Sequence, residues 1–139
     1  MILIIIYSTS NLFIYAGVVS DTRFGADQAV VAFTEEDGFK LSERASKTLG
    51  IKFIPIQGQK QFTTHKSALV KIKATKGVYR RYEGWISYVL INDVKIDGEK
   101  ITFSSDDLQS GDEVAISGTD FLRMTEVDLT TSTVAGCAH

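Results

Sequence analysis

Leu69-Val70-Lys71-Ile72-Lys73-Ala74-Thr75-Lys76-Gly77-Val78-Tyr79-Arg80-Arg81-Tyr82-Glu83-Gly84-Trp85-Ile86-Ser87-Tyr88-Val89-Leu90-Ile91 decides the fold class. Its period is two. Leu69, Lys71 and Lys73 alternate with Val70, Ile72 and Ala74, as side chains do on the two faces of a strand. Thr75-Lys76-Gly77 carries a turn signal, Val78 to Glu83 resumes a strand, and Trp85 to Ile91 is rich in β-branched and aromatic residues. Alternation puts Tyr79 and Arg81 on one face, Arg80 and Tyr82 on the other.

The pattern extends both ways. Upstream, Ala29 to Phe33 reads as a short strand, and the period of two begins at Ile51 and runs through Ile56. Downstream, Asn92-Asp93 and Asp97-Gly98 read as turns, the latter a hairpin dipeptide. Ile101 to Phe103, Glu113 to Ser117 and Phe121 to Met124 read as further strands. One segment departs. Ser42 can cap a helix, Glu43 suits its positive end, and Gly50 stops it. Leu41, Ala45 and Leu49 would line one face of this short helix, which must pack on a sheet to persist. The expectation is therefore a mostly β, α+β domain. It would be a small β-barrel or β-roll-like unit of short antiparallel strands with one short helix.

The chain has 139 residues, with 15 basic and 17 acidic side chains and a net charge of -2. One domain is expected at this length. With 44% hydrophobic residues it is not a disordered chain. The near-neutral balance excludes a strongly basic nucleic-acid binder. No charged side chain occurs from Met1 to Ser20. We read residues 1–20 as an export leader, with small residues Val18 and Ser20 before Asp21. Two buried strands, Ile2–Ile6 and Leu12–Val19, and a retained membrane anchor are the alternatives. Residues 21–28 would be a linker, 29–129 the single β-rich domain and 130–139 a flexible tail.

Candidate chemistry is sparse. A single cysteine, Cys137, precludes an intramolecular disulfide, and two histidines, His65 and His139, preclude a three-histidine metal site. Cys137 and His139 are two residues apart, and thiolate with imidazole suits a soft ion such as copper or zinc. A third ligand would come from His65, Met124 or a second chain. His65 otherwise reads as a surface residue at a strand entry. Glu35-Glu36-Asp37 and Asp106-Asp107 read as solvated loops, and Lys95 and Lys100 flank a turn. Tyr79, Arg80, Arg81, Tyr82 and Trp85 form a basic-aromatic cluster suited to binding a partner protein, a lipid headgroup or a nucleic acid, the last opposed by the acidic charge and the leader; plain packing of the aromatic rings under the arginine stems is the alternative.

Two longer segments carry a family resemblance. Lys40-Leu41-Ser42-Glu43-Arg44-Ala45-Ser46-Lys47-Thr48-Leu49-Gly50-Ile51-Lys52 resembles the opening of the membrane-proximal region of periplasmic adaptor subunits. These are the membrane fusion proteins of tripartite efflux pumps of the resistance-nodulation-division and secretion types. Leu108-Gln109-Ser110-Gly111-Asp112-Glu113-Val114-Ala115-Ile116-Ser117-Gly118 resembles that family's closing pattern. Lys66-Ser67-Ala68-Leu69-Val70 resembles the segment entering its last part. Physically, Leu108 would anchor a turn, Gly111 would take a positive φ, and Asp112 would bond the turn backbone. Val114 and Ile116 would enter the core, and Gly118 would end the strand. Only Phe53 to Lys66 separates the opening from the rest, so the family's helical hairpin and complete β-barrel are missing. The resemblance implies a non-enzymatic periplasmic protein that contacts an inner-membrane transporter or adaptor proteins. It also allows self-association and membrane association, and calls for no cofactor and no nucleic acid. The alternative is a small periplasmic soft-metal protein using Cys137 and His139.

Overall fold

The computed structural model describes residues 23–135. The reading of residues 1–20 lies outside them. Ten strands, two α-helices and a 3-10 turn follow in the order β1 (Val30–Thr34), β2 (Gly38–Leu41), α1 (Glu43–Thr48), β3 (Lys52–Pro55), β4 (Gln61–His65), the 3-10 turn (Lys66–Ala68), β5 (Val70–Ile72), β6 (Thr75–Tyr82), β7 (Trp85–Leu90), β8 (Asn92–Asp97), β9 (Lys100–Ser104), β10 (Glu113–Ser117) and α2 (Thr119–Ala135). The mostly antiparallel β, α+β class expected from the period of two is what the chain adopts. A seven-stranded sheet runs β1-β2-β7-β6-β10-β3, with β5 also paired to β6. A three-stranded sheet runs β4-β9-β8. Neither sheet closes into a barrel, because β1 and β3 remain as separate edges of the larger one.

Alternation explains the layering. Val78, Val89 and Val114 point to one face of the large sheet and pack with Phe62, Ile101 and Phe103 of the small sheet. The rings of Phe62 and Phe103 lie 6.0 Å apart, a tilted aromatic pair within the sheet-on-sheet core. Their neighbours Tyr79, Ile86 and Ala115 point to the other face and pack with Phe39, Ile51 and Leu122. The second face is thus covered by α2 and by the end of α1 rather than by strands. Full burial of each large side chain contributes about 1.5–3 kcal/mol before chain entropy is subtracted.

The strongest local expectation holds in detail. Ser42 caps α1, its Oγ accepting from the N–H of Ala45 at 3.1 Å. Leu41 belongs to β2 rather than to the helix, yet it packs in the same core as Leu49. The Asp97-Gly98 hairpin also forms, with Asp97 opposite Lys100.

Four expectations are corrected. Thr75-Lys76-Gly77 is the start of β6, and the turn falls at Lys73-Ala74, where Ile72 pairs with Thr75. Gly77 is required there by packing, since a Cβ would collide with the ring of Tyr88 on β7. Asn92-Asp93 is the irregular start of β8, with Asp93 at φ +52 and a register shift before Lys95. The Asp93 carboxylate accepts from Ser104 Oγ at 2.9 Å, which holds that bulge. Phe121 to Met124 is helical, and α2 runs on to Ala135, into the segment that the sequence marks as tail. A short apolar run does not distinguish strand from helix, and here burial of Leu122 and Leu129 along one helix face decides. Finally, β2 and β4 were not read as strands from the sequence, and α2 makes a second, longer helix.

Candidate functional site

The segments that carry the family resemblance meet in space. β3 pairs antiparallel with β10, from Pro55 opposite Glu113 to Phe53 opposite Ala115. Ser117 Oγ donates to the Gly50 carbonyl at 2.7 Å, tying the end of one segment to the helix stop of the other. The N–H of Gly111 donates to the Ile56 carbonyl, and the N–H of Ile56 donates to that of Asp112. Asp112 is buried, and its Oδ2 accepts from the N–H of Gln109 at 2.9 Å. Leu108 and Val114 are buried in the sheet-on-sheet core, and the half-buried Ile116 packs against it. Gly111 takes φ +94. Gly118 takes φ +74 and lies so close to Ile51 that a Cβ would stand 2.7 Å from Ile51 Cγ1. Ser67, in the third segment, donates its hydroxyl to the Ile116 carbonyl.

The basic-aromatic cluster divides across β6 as alternation requires, and burial then selects among its members. Tyr79 is 0% exposed at the centre of the helix-covered face, so it is corrected out of any contact surface. Its hydroxyl donates to Glu126 Oε2 at 2.8 Å, and Arg123 Nη1 donates to the same oxygen at 2.8 Å. Burial, and secondly the bond to Glu126, pushes the Tyr79 phenol above the usual tyrosine range. The Glu126 carboxylate in turn raises the Arg123 guanidinium. Arg81 is spoken for as well. Its Nε donates to Glu113 Oε2 at 2.6 Å, and its guanidinium sits 4.2 Å from the Phe53 ring centroid.

What remains available is the end of the β6–β7 hairpin. Tyr82 is 54% exposed and stands directly opposite Trp85 across the ladder, so both project from one face. Lys40 Nζ lies 4.7 Å from the Trp85 ring, and the Arg80 guanidinium 5.9 Å from the Tyr82 ring. Arg80 Nη1 also donates to the Asp107 carbonyl at 2.9 Å. Lys40 was not among the residues singled out from the sequence. Its place beside Trp85 depends on β2 pairing with β7, a pairing fixed at Phe39 opposite Ile86.

The remaining candidates fall apart. His65 ends β4 and caps the 3-10 turn, its Nδ1 2.7 Å from Ser67 Oγ and its Nε2 3.4 Å from Glu99. Lys66 pairs with Glu99 at 2.8 Å and holds that carboxyl below its ordinary range. Met124 is exposed on α2. Glu35-Glu36-Asp37 form the β1–β2 turn, where the N–H of Asp37 donates to Thr34 Oγ1 at 2.8 Å. Asp106-Asp107 lie in the exposed loop before Leu108, and Lys95 and Lys100 sit on the β8–β9 hairpin. Cys137 and His139 lie outside the described residues. Among the described residues no group of three or more histidine, cysteine or acidic side chains could hold a metal ion, and no helix is long and apolar enough to cross a membrane. The sequence reading missed the Tyr79–Glu126–Arg123 group because it took residues 121–124 as a strand. The signal was present, since Leu122, Glu126 and Leu129 recur at helical spacing. Comparison with known proteins finds no matching family model, no similar curated protein and no similar solved structure.

Proposed function

We propose that this chain is a non-enzymatic periplasmic module that works by protein–protein contact with a transport complex, in the manner of the membrane-proximal domain of an efflux adaptor. The observation that carries the reading is the union of the resembling segments. The opening and closing motifs meet where Lys52 stands opposite Ser117, Ser117 Oγ bonds the Gly50 carbonyl and Gly118 packs on Ile51, and the closing motif runs on beside β3, the strand that follows the opening one. The motif residues act as parts of a scaffold, and the scaffold leaves Tyr82, Trp85, Arg80 and Lys40 at one hairpin end. An exposed tyrosine beside a half-buried tryptophan, bordered by cations, is the composition of an interface hot spot.

The test is a cross-linked pull-down from solubilised membranes, comparing wild type with the double variant Tyr82→Ala/Trp85→Ala. Recovery of an inner-membrane transporter component by wild type, with at least tenfold less by the variant, supports the reading, as truncation of hot-spot aromatics predicts. Recovery of no transport component, or equal recovery by both proteins, overturns it.

A further inference from the structure

Residues 66–82 carry Lys66, Lys71, Lys73, Lys76, Arg80 and Arg81 without a single Asp or Glu. The fold sorts these six cations into two sets. Lys66 pairs with Glu99, Arg80 approaches Asp112 at 4.0 Å, and Arg81 pairs with Glu113. Lys71, Lys73 and Lys76 have no ion-pair partner among the described residues, and all three are exposed. They occupy one small structure, the tip of the β5–β6 hairpin.

The placement is costly to the fold. Lys71 stands directly opposite Lys76 in the antiparallel ladder. Opposed residues bring their Cβ atoms to about 4.5–5.5 Å, and like charges there are destabilising. Lys73 occupies the turn at φ +53, in the left-handed region that Asn or Gly fills more easily. The tip also lies beyond the β6–β7 ladder. Pairing between β6 and β7 ends at Gly77 opposite Leu90, and only the bond from the N–H of Ile91 to the Lys76 carbonyl lies beyond it. Residues 72–75 therefore have only each other as strand partners. Apolar side chains lie on the reverse face of the same ladder, where Leu90 stands opposite Gly77 and Ile72 opposite Thr75 while Lys71 and Lys76 share the other face. Ile72 is half-buried, Ala74 is exposed, and Leu90 is 52% exposed beside Gly77.

We propose that the β5–β6 hairpin is a docking element for an anionic phospholipid surface, with Lys71, Lys73 and Lys76 in the headgroup layer and Leu90 at its apolar boundary. Three unpartnered ammonium groups on flexible stems suit a diffuse anionic plane rather than a single bidentate ligand. Entering edge-on, the tip brings the lysines of one face and the aliphatic side chains of the other to the interface between headgroups and acyl chains. The tip has no aromatic side chain on which a base could stack, and the chain as a whole is net negative, so a nucleic acid fits less well. With three cations the attachment is reversible and salt-sensitive, and it orients the domain rather than anchoring it. It is independent of the transport-complex reading, because a bare vesicle contains no protein partner.

The full chain is sedimented with vesicles of phosphatidylcholine alone or mixed with phosphatidylglycerol. Wild type should bind the mixed vesicles, lose binding as salt shortens the screening length, and bind neutral vesicles markedly less. Lys71→Gln/Lys73→Gln/Lys76→Gln should weaken binding by roughly fivefold per lysine removed. Lys47→Gln/Lys52→Gln/Lys60→Gln, at exposed positions elsewhere, should leave it within twofold. The hairpin variant loses a like-charge contact, so its melting temperature should match or exceed that of wild type, which separates lost binding from lost folding. Equal binding to both vesicle types, an equal loss from the control lysines, or binding to heparin without binding to mixed vesicles would each overturn the proposal.

Discussion

The two faces of the large sheet solve the same packing problem with different materials. One is covered by a second sheet and is built from Phe62, Ile101, Phe103, Val78, Val89 and Val114. The other is covered mainly by α2 and carries a polar group within it, the Tyr79 hydroxyl, satisfied by Glu126. The sheet-covered face also holds a polar atom, Thr64 Oγ1, but that one is buried with no hydrogen-bond partner. Strands bring fixed rows of side chains at a set spacing, so a hydroxyl between two sheets meets whatever the register supplies. A helix carries long side chains on an adaptable face, so Glu126 can reach down to the phenol while Arg123 balances its charge. The helix-covered face thus accommodates polarity at a point where the sheet-covered face does not.

The comparison breaks most sharply on large-to-small substitutions. Phe103→Ala should cost about 4 kcal/mol and Leu122→Ala about 3 kcal/mol in chemical denaturation, because both side chains are fully buried and leave cavities. If Leu122→Ala proved the more costly, the helix-covered face would contribute more to stability than the sheet-covered one.

Tyr79→Phe removes only the hydroxyl and should cost about 1 kcal/mol at neutral pH. It also has a pH signature. The folded state raises this phenol above its ordinary value of 10.0. The stabilisation from a neutral Tyr79 is therefore fully present below pH 10 and declines as pH rises above it, since the unfolded chain releases the proton first. Denaturation curves at pH 9 and above 10 should show wild type losing stability more steeply than Tyr79→Phe. Equal slopes would mean that burial and the bond to Glu126 do not hold this phenol above its ordinary range in the folded state. Thr64→Val is the smallest and opposite change. Removing an unpartnered buried hydroxyl at nearly constant volume should leave stability unchanged or raise it by up to about 1 kcal/mol. A loss of stability would show that Thr64 Oγ1 has a partner after all.

Much of this architecture was legible in the sequence at the level of single elements. The Ser42 cap, the Gly50 stop, the alternation through Tyr79 to Tyr82 and the Leu108–Gly118 turn all rest on local geometry, and local geometry is written in nearest neighbours. The errors share a different cause. Thr75-Lys76-Gly77 looked like a turn because glycine favours turns, but Gly77 is small so that Tyr88 can lie across it. Asn92-Asp93 looked like a turn because those residues tolerate unusual backbone, and it became a bulge that starts a strand. The candidate contact surface was half legible. Alternation separated its two faces correctly, but only packing revealed that Tyr79 is internal, that Arg81 is committed to Glu113, and that Lys40 belongs beside Trp85.

The sequence by itself determined the period of two, the short helix and its caps, the near-neutral charge with an uncharged first 20 residues, and the run of cations between Lys66 and Arg81. These are properties of residue type and spacing, and no distant contact can alter them. The tertiary structure decided which strands are neighbours, that Phe121 to Met124 is helix, and which of six cations find carboxylates. Those outcomes depend on free-energy differences between competing long-range pairings, and a strand or a lysine carries no local record of the partner that will face it.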